Sequence, residues 1–125
     1  MNVGDFVRGV YKTGVYAGEL MQVEQEKGRA LVKVLAVLKH PMQGDLHNPK
    51  EANVPFFHER KALACYEKAW MPLSQLKPFE GEPPAYEASL EKALQEMKES
   101  LASDTSEWAK RSIEVLAQVE KEYGR

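Results

Sequence analysis

Residues 29–39 read RALVKVLAVLK, and their reading decides the fold. Leu31, Val34, Leu35 and Leu38 fall at helical spacing. Three other cues favour a buried β-strand instead. The run is short and rich in valine, it follows a hairpin signal at Glu26-Lys27-Gly28-Arg29, and Pro41 stands just beyond it. With this segment as a strand, its neighbours also read as β. Upstream, Phe6, Val7 and Val10 precede a turn signal at Lys12-Thr13-Gly14. Val15 to Val23 then carries β-formers, and Gly18 within it suits a bulge or sharp bend. Downstream, Lys61 to Trp70 is expected to be a strand, with Leu63, Cys65 and, after a shift, Ala69 and Trp70 as its apolar positions. Met71 to Leu76 reads as one tight turn and Lys77-Pro78-Phe79 as a short closing strand.

Five short strands, interior glycines and a one-turn insert before the last strand resemble an SH3-like small β-barrel over residues 1–80, most clearly in WMPLSQLKPF at 70–79. Such a fold hosts many functions and implies none. Glu80-Gly81-Glu82-Pro83-Pro84 marks a boundary, and from Tyr86 the period becomes helical. Tyr86, Leu90, Leu94, Met97 and Leu101 share one face, with Ala93 beside them. Asp104, with Glu107 three residues on, has the form of a capping box that opens a second helix. There Ala109, Ile113, Leu116, Ala117, Glu120 and Tyr123 share a face, with Trp108 at its edge. The expected class is α+β: the small barrel, then an antiparallel helical hairpin over 81–125. The hairpin's apolar stripes pack on the barrel or leave a seam for a partner, which leaves room for a homodimer.

A chain of 125 residues buries roughly two-thirds of its unfolded surface and needs no metal or disulfide for stability. Its single cysteine, Cys65, fits a reducing compartment and is expected to be a small core residue rather than a nucleophile. The opening MNVGDFVRG is not a signal peptide, and no run approaches the roughly 20 apolar residues of a membrane span. A cytoplasmic protein without direct membrane insertion is expected. Net charge is −2. Residues 1–80 hold 11 Lys+Arg against 9 Asp+Glu, and residues 81–125 hold 6 against 10. The first part is too weakly basic for a nucleic-acid field, so no nucleic-acid partner is expected.

All three histidines fall in HPMQGDLHNPKEANVPFFHER, residues 40–60. A loop this long inside a small domain is usually functional. His40, Asp45, His47 and His58 carry metal-ligand groups, but their spacings match no familiar zinc pattern. Cys65 with a histidine would make a nucleophilic pair only beside a glycine-rich elbow or a helix start, and it has neither. No catalytic residue, metal or cofactor is therefore assigned. Phe56 and Phe57 are adjacent, so in an extended chain they point opposite ways and one of them faces outward. The expected partner-binding surface comprises His40, Gln43, Asp45, His47, Asn48, Phe56, Phe57, His58, Glu59 and Arg60.

The string VLAVLKHPMQGDLHNPKEANVPFFHERKALA (34–64), with the opening VGDFVRGVYKTGVYAGEL (3–20), resembles the kinase-associated protein B family, also called kinase-associated lipoprotein B. The resemblance runs from Gly4 through the helices. It implies an SH3-like barrel followed by helices and a non-enzymatic accessory role for a sporulation sensor histidine kinase of spore-forming bacteria. A lipoprotein would need an N-terminal signal and a lipid-bearing cysteine close behind it, and Cys65 is mid-domain. Contact with a membrane kinase is thus expected from the cytosolic face, through the partner. The leading expectation is a regulatory binding module for a histidine kinase or another phosphorelay protein. The alternatives are a nucleic-acid- or peptide-binding barrel and, behind it, a metal-dependent enzyme.

Overall fold

In the computed structural model, residues 1–45, 48–54 and 56–124 are described. The elements are β1 (Phe6–Tyr11), β2 (Gly14–Glu24), β3 (Arg29–Lys39), β4 (Lys68–Pro72), β5 (Lys77–Pro78), α1 (Tyr86–Ala102) and α2 (Glu107–Glu122), with single 3-10 turns at Gln25–Lys27 and Leu73–Gln75. The class is α+β, as expected. The strands form one antiparallel sheet in the order β4-β3-β2-β1-β5.

Residues 29–39 are a strand because the residues that alternate along them are the ones the core takes. Ala30, Val32, Val34 and Ala36 are buried, whereas Leu31, Leu35 and Leu38 of the helical stripe are only half-buried. The pairing of β2 with β3 shifts register at Ala17/Gly18, where a bulge was expected. A Cβ at Gly18 would collide with the Lys33 carbonyl oxygen, so only glycine lets the two backbones approach this closely. The sheet curls strongly: β1 comes so near β4 that a Cβ at Gly9 would stand 2.6 Å from Met71 Sδ.

The β1–β2 connection is a two-residue turn closed by the Tyr11–Gly14 pair. Both of its residues are left-handed, Lys12 at φ 48° and Thr13 at φ 65°. That is the form whose twist suits a hairpin, but it is usually filled by Asn or Gly. A hydrogen bond from Met42 N to Thr13 Oγ1 (2.9 Å) ties this turn to the long loop.

Three sequence expectations need correction. The strand expected over Lys61–Trp70 begins only at Lys68. Residues 64–67 close a turn instead, with Glu67 N donating to Ala64 O, Ala64 N donating to Glu67 Oε1, and Tyr66 left-handed at φ 69°. Cys65 is consequently exposed, not a core residue. The N-cap of α2 is Ser106, whose Oγ accepts from Ala109 N at 3.1 Å. Asp104 holds the preceding turn by accepting from Ser106 N.

The core is continuous from the sheet into the helices: Val7, Tyr16, Val32 and Met71 belong to the same cluster as Leu90, Leu94, Trp108 and Leu116. Tyr86, the first residue of α1, donates its hydroxyl to Leu63 O, and Tyr123, just past α2, receives Ala62 N–H. The start of one helix and the end of the other thus meet at adjacent residues. Within the described residues, no helix is long and apolar enough to cross a membrane.

Candidate functional site

The segment between β3 and β4 forms a ledge whose neck is closed by one glutamine. The Gln43 side chain is buried, and all its polar atoms are used. Its Nε2 donates to Pro41 O (3.1 Å) and Arg60 O (3.0 Å), while its Oε1 accepts from Arg60 N (2.8 Å). Gly44 N donates to His58 O, and Arg60 Nε donates to Gly44 O (3.2 Å). Residues 41–44 and 58–60 therefore run side by side, as in a compact surface loop whose ends lie close together.

His40 is fully buried at the same neck. Its Nδ1 lies 3.0 Å from the Pro41 carbonyl, an acceptor, so Nδ1 carries the hydrogen. Its Nε2 then accepts the Tyr123 hydroxyl at 3.0 Å, and that same hydroxyl oxygen accepts Ala62 N–H at 2.7 Å. Burial pushes the imidazole below its ordinary pKa, while the Pro41 carbonyl and the charge of Glu120 pull the other way. Only a neutral ring can accept the Tyr123 hydroxyl at Nε2.

Helix α2 fastens the ledge from below. Trp108 Nε1 donates to Gln43 O (3.1 Å) and Arg111 Nη1 donates to Ala52 O (2.6 Å). The Arg111 guanidinium also lies over the Phe57 ring, 4.6 Å from its centroid. Phe57 packs inward against Gly44, whose positive φ of 106° and missing Cβ leave room for the ring. Phe56 takes the opposite direction. It is 69% exposed and stacks flat on His58, with centroids 5.5 Å apart and an interplanar angle of 16°.

The ten residues expected to meet a partner are thus sorted. His40 and Gln43 are buried, and their polar groups are bonded inside the protein, where they hold the neck of the loop together. Asn48, Phe56, His58 and Glu59 are exposed, and Asp45, Phe57 and Arg60 are half-buried. Asp45 accepts Asn48 N and Nδ2 and so shapes a turn. His47 lies outside the described residues. Glu59 sits beside Glu122, whose hydrogen bond raises the Glu59 pKa, while Lys61, 2.8 Å from Glu122, holds the Glu122 carboxyl low. Among the described residues no three His, Cys, Asp or Glu side chains come together as a metal site. Trp108, Arg111 and Tyr123 belong to the site, although sequence reading placed Trp108 and Tyr123 only on a helix face and did not single out Arg111. Their partners lie more than fifty residues away, beyond any local pattern.

A cleft of about 380 Å³ opens beside the ledge, between the end of β3 and α1. Met42, Met97 and Trp108 give it apolar walls, and Lys39 and Lys50 stand at its margin.

A five-stranded antiparallel sheet followed by two helices, with a long fastened loop between the third and fourth strands, defines an α+β protein. The chain belongs to the kinase-associated protein B family, whose profile matches residues 11–124. It is 54% identical over 120 residues to the kinase-associated lipoprotein B of Bacillus subtilis (strain 168), covering 96% of this chain and 92% of that protein. The crystal structure of kinase-associated protein B from Bacillus cereus superposes with a TM-score of 0.82 at 39% identity, covering 100% of this chain and 99% of that one. These relatives are named for association with a kinase, not for a reaction.

Proposed function

We propose that this chain is a non-enzymatic accessory protein that binds a sensor histidine kinase, or another protein of a phosphorelay that governs sporulation. It acts in the cytoplasm, at the inner face of the membrane when its partner is there. The observation that carries this reading is Phe56, a large aromatic standing in solvent on a loop whose neck is bonded through Gln43, Gly44 and Arg60. Exposed aromatics on rigid supports are the usual anchors of protein interfaces, because little side-chain or loop entropy is lost when they dock. His58 stacks on the ring and holds its orientation, and Asn48 and Glu59 offer polar contacts on the same loop.

The test is a calorimetric titration of the full chain with the cytosolic region of the kinase. Phe56→Ala is expected to weaken binding at least tenfold, the scale of an interface anchor, with the melting temperature unchanged. Equal affinity for wild type and Phe56→Ala would remove the ledge as the contact. A wild-type chain that binds neither the kinase nor another phosphorelay protein would remove the partner.

A further inference from the structure

We propose that the pocket between the β1–β2 turn and the close of the long loop is a binding site for a tetrahedral oxyanion of the phosphate-monoester class. The pocket has a volume of about 210 Å³ and is separate from the cleft beside α1. Lys12, Arg60 and Lys61 line it against one carboxylate, Glu59.

Lys61 is already paired with Glu122 at 2.8 Å, so Lys12 and Arg60 are the donors that a ligand would meet first. Lys12 sits in a two-residue turn with both residues left-handed, the second a β-branched threonine. That conformation is costly for such residues and persists only where its surroundings enforce it, here through the bond from Met42 N. Such strain collects at functional sites. The turn brings the Lys12 ammonium over the Tyr11 ring, 5.4 Å from its centroid, and among the described residues it forms no ion pair. Among the described residues the Arg60 side chain bonds through Nε alone, to Gly44 O, which fixes the guanidinium plane and leaves its terminal nitrogens as donors. Tyr16 is 1% exposed and also lines the pocket. Its hydroxyl accepts Leu63 N–H at 3.2 Å and, among the described residues, donates to nothing. A buried hydroxyl hydrogen without an acceptor is uncommon in a folded protein.

The polar groups come from a hairpin turn, from β2 and from the loop, so three elements wall the pocket. A head group with three acceptor oxygens can meet donors from more than one wall. Glu59 is the one carboxylate in the lining, and its neighbour Glu122 raises its pKa, which lessens its charge. The pocket admits a single head group and is no track for a polyanion. Free phosphate and a phosphorylated side chain share this chemistry.

The full chain is titrated with inorganic phosphate and, separately, with phenyl phosphate at constant ionic strength, with chloride as the control, while backbone amide shifts are followed by NMR. Saturable shifts are expected at Lys12, Thr13, Arg60 and Lys61. Lys12→Gln, at an exposed position, should weaken binding about tenfold, the worth of one charge-assisted hydrogen bond, and Lys12→Arg should restore most of it. Tighter binding of phenyl phosphate identifies a phosphorylated side chain as the source, and equal or weaker binding identifies the free anion. Equal shifts with chloride, or a Lys12→Gln variant that binds as the wild type does, would overturn the proposal.

Discussion

Replacing Gln43 with leucine keeps the side chain's approximate bulk and removes every hydrogen bond it makes. Three backbone groups lose a partner: the Arg60 amide hydrogen and the Arg60 and Pro41 carbonyls. Pro41 O still receives His40 Nδ1–H, so its loss is the smallest. The other two are partly buried, and at about 1–1.5 kcal/mol each the variant should lose about 3 kcal/mol. Unfolding entropy near 2.1 cal/mol/K per residue gives about 0.26 kcal/mol/K for 125 residues, so the melting temperature should fall by roughly 11 °C. The Trp108 bond goes to the Gln43 backbone oxygen and survives the change, which confines the damage to the neck. Hydrogen exchange should therefore accelerate at the Gly44 and Arg60 amides, while β2 and β3 lose protection only through the global drop. A variant melting within about 2 °C of wild type, with Gly44 protection intact, would refute the view that this glutamine closes the ledge.

His40 has a folded-state pKa below its ordinary value near 6.5, because burial penalises the charged ring. The unfolded chain therefore binds the proton first, and His40's contribution to stability is full above about pH 6.5 and lost as the pH falls below it. An imidazole NMR titration should find His40 half-protonated below pH 6.5, and a value above that would contradict the neutral ring. Tyr123→Phe removes one donor to His40 and one acceptor for Ala62 N, and should cost about 1–3 kcal/mol in a urea titration. Gly18→Ala sets a methyl against the Lys33 carbonyl and should cost about 2–3 kcal/mol, with amide shifts confined to β2 and β3. Phe57→Ala should lower stability by about 2 kcal/mol, since its ring packs between Gly44 and Arg111, while Phe56→Ala should change it by less than about 0.5 kcal/mol. Matching losses for the two would mean that the outward and inward rings had been misassigned.

The strands were legible where turn chemistry and alternation agreed. Arg29–Lys39 could be read despite its helical spacing because a hairpin signal and valine content outweighed it, and the burial of Ala30, Val32, Val34 and Ala36 shows why. The stretch before β4 was misread because Leu63 and Cys65 imitate alternation, while the turn that displaces them depends on a glutamate side chain reaching back to Ala64 N. Ser106 was passed over as a cap because Asp104 and Glu107 mimic a capping box. Within the loop, the opposite facing of two adjacent phenylalanines followed from backbone geometry, but which one turned outward depended on Gly44 and Arg111. His40 and Gln43 were read as surface groups because polarity is visible in a sequence and satisfaction is not. Their partners include Arg60 and Tyr123, 17 and 83 residues further along.

The Tyr123 hydroxyl imposes an order of events on synthesis. Residues 40 and 62 leave the ribosome well before Tyr123 does, yet one oxygen from Tyr123 bonds to both. Until α2 is made and docked, the loop lacks that bond as well as those of Trp108 and Arg111. The sheet's first three strands can pair early, because they are contiguous in the chain. A nascent chain halted at residue 105 would therefore carry most of its sheet but an unfastened ledge, with Phe56 present and not yet held in place.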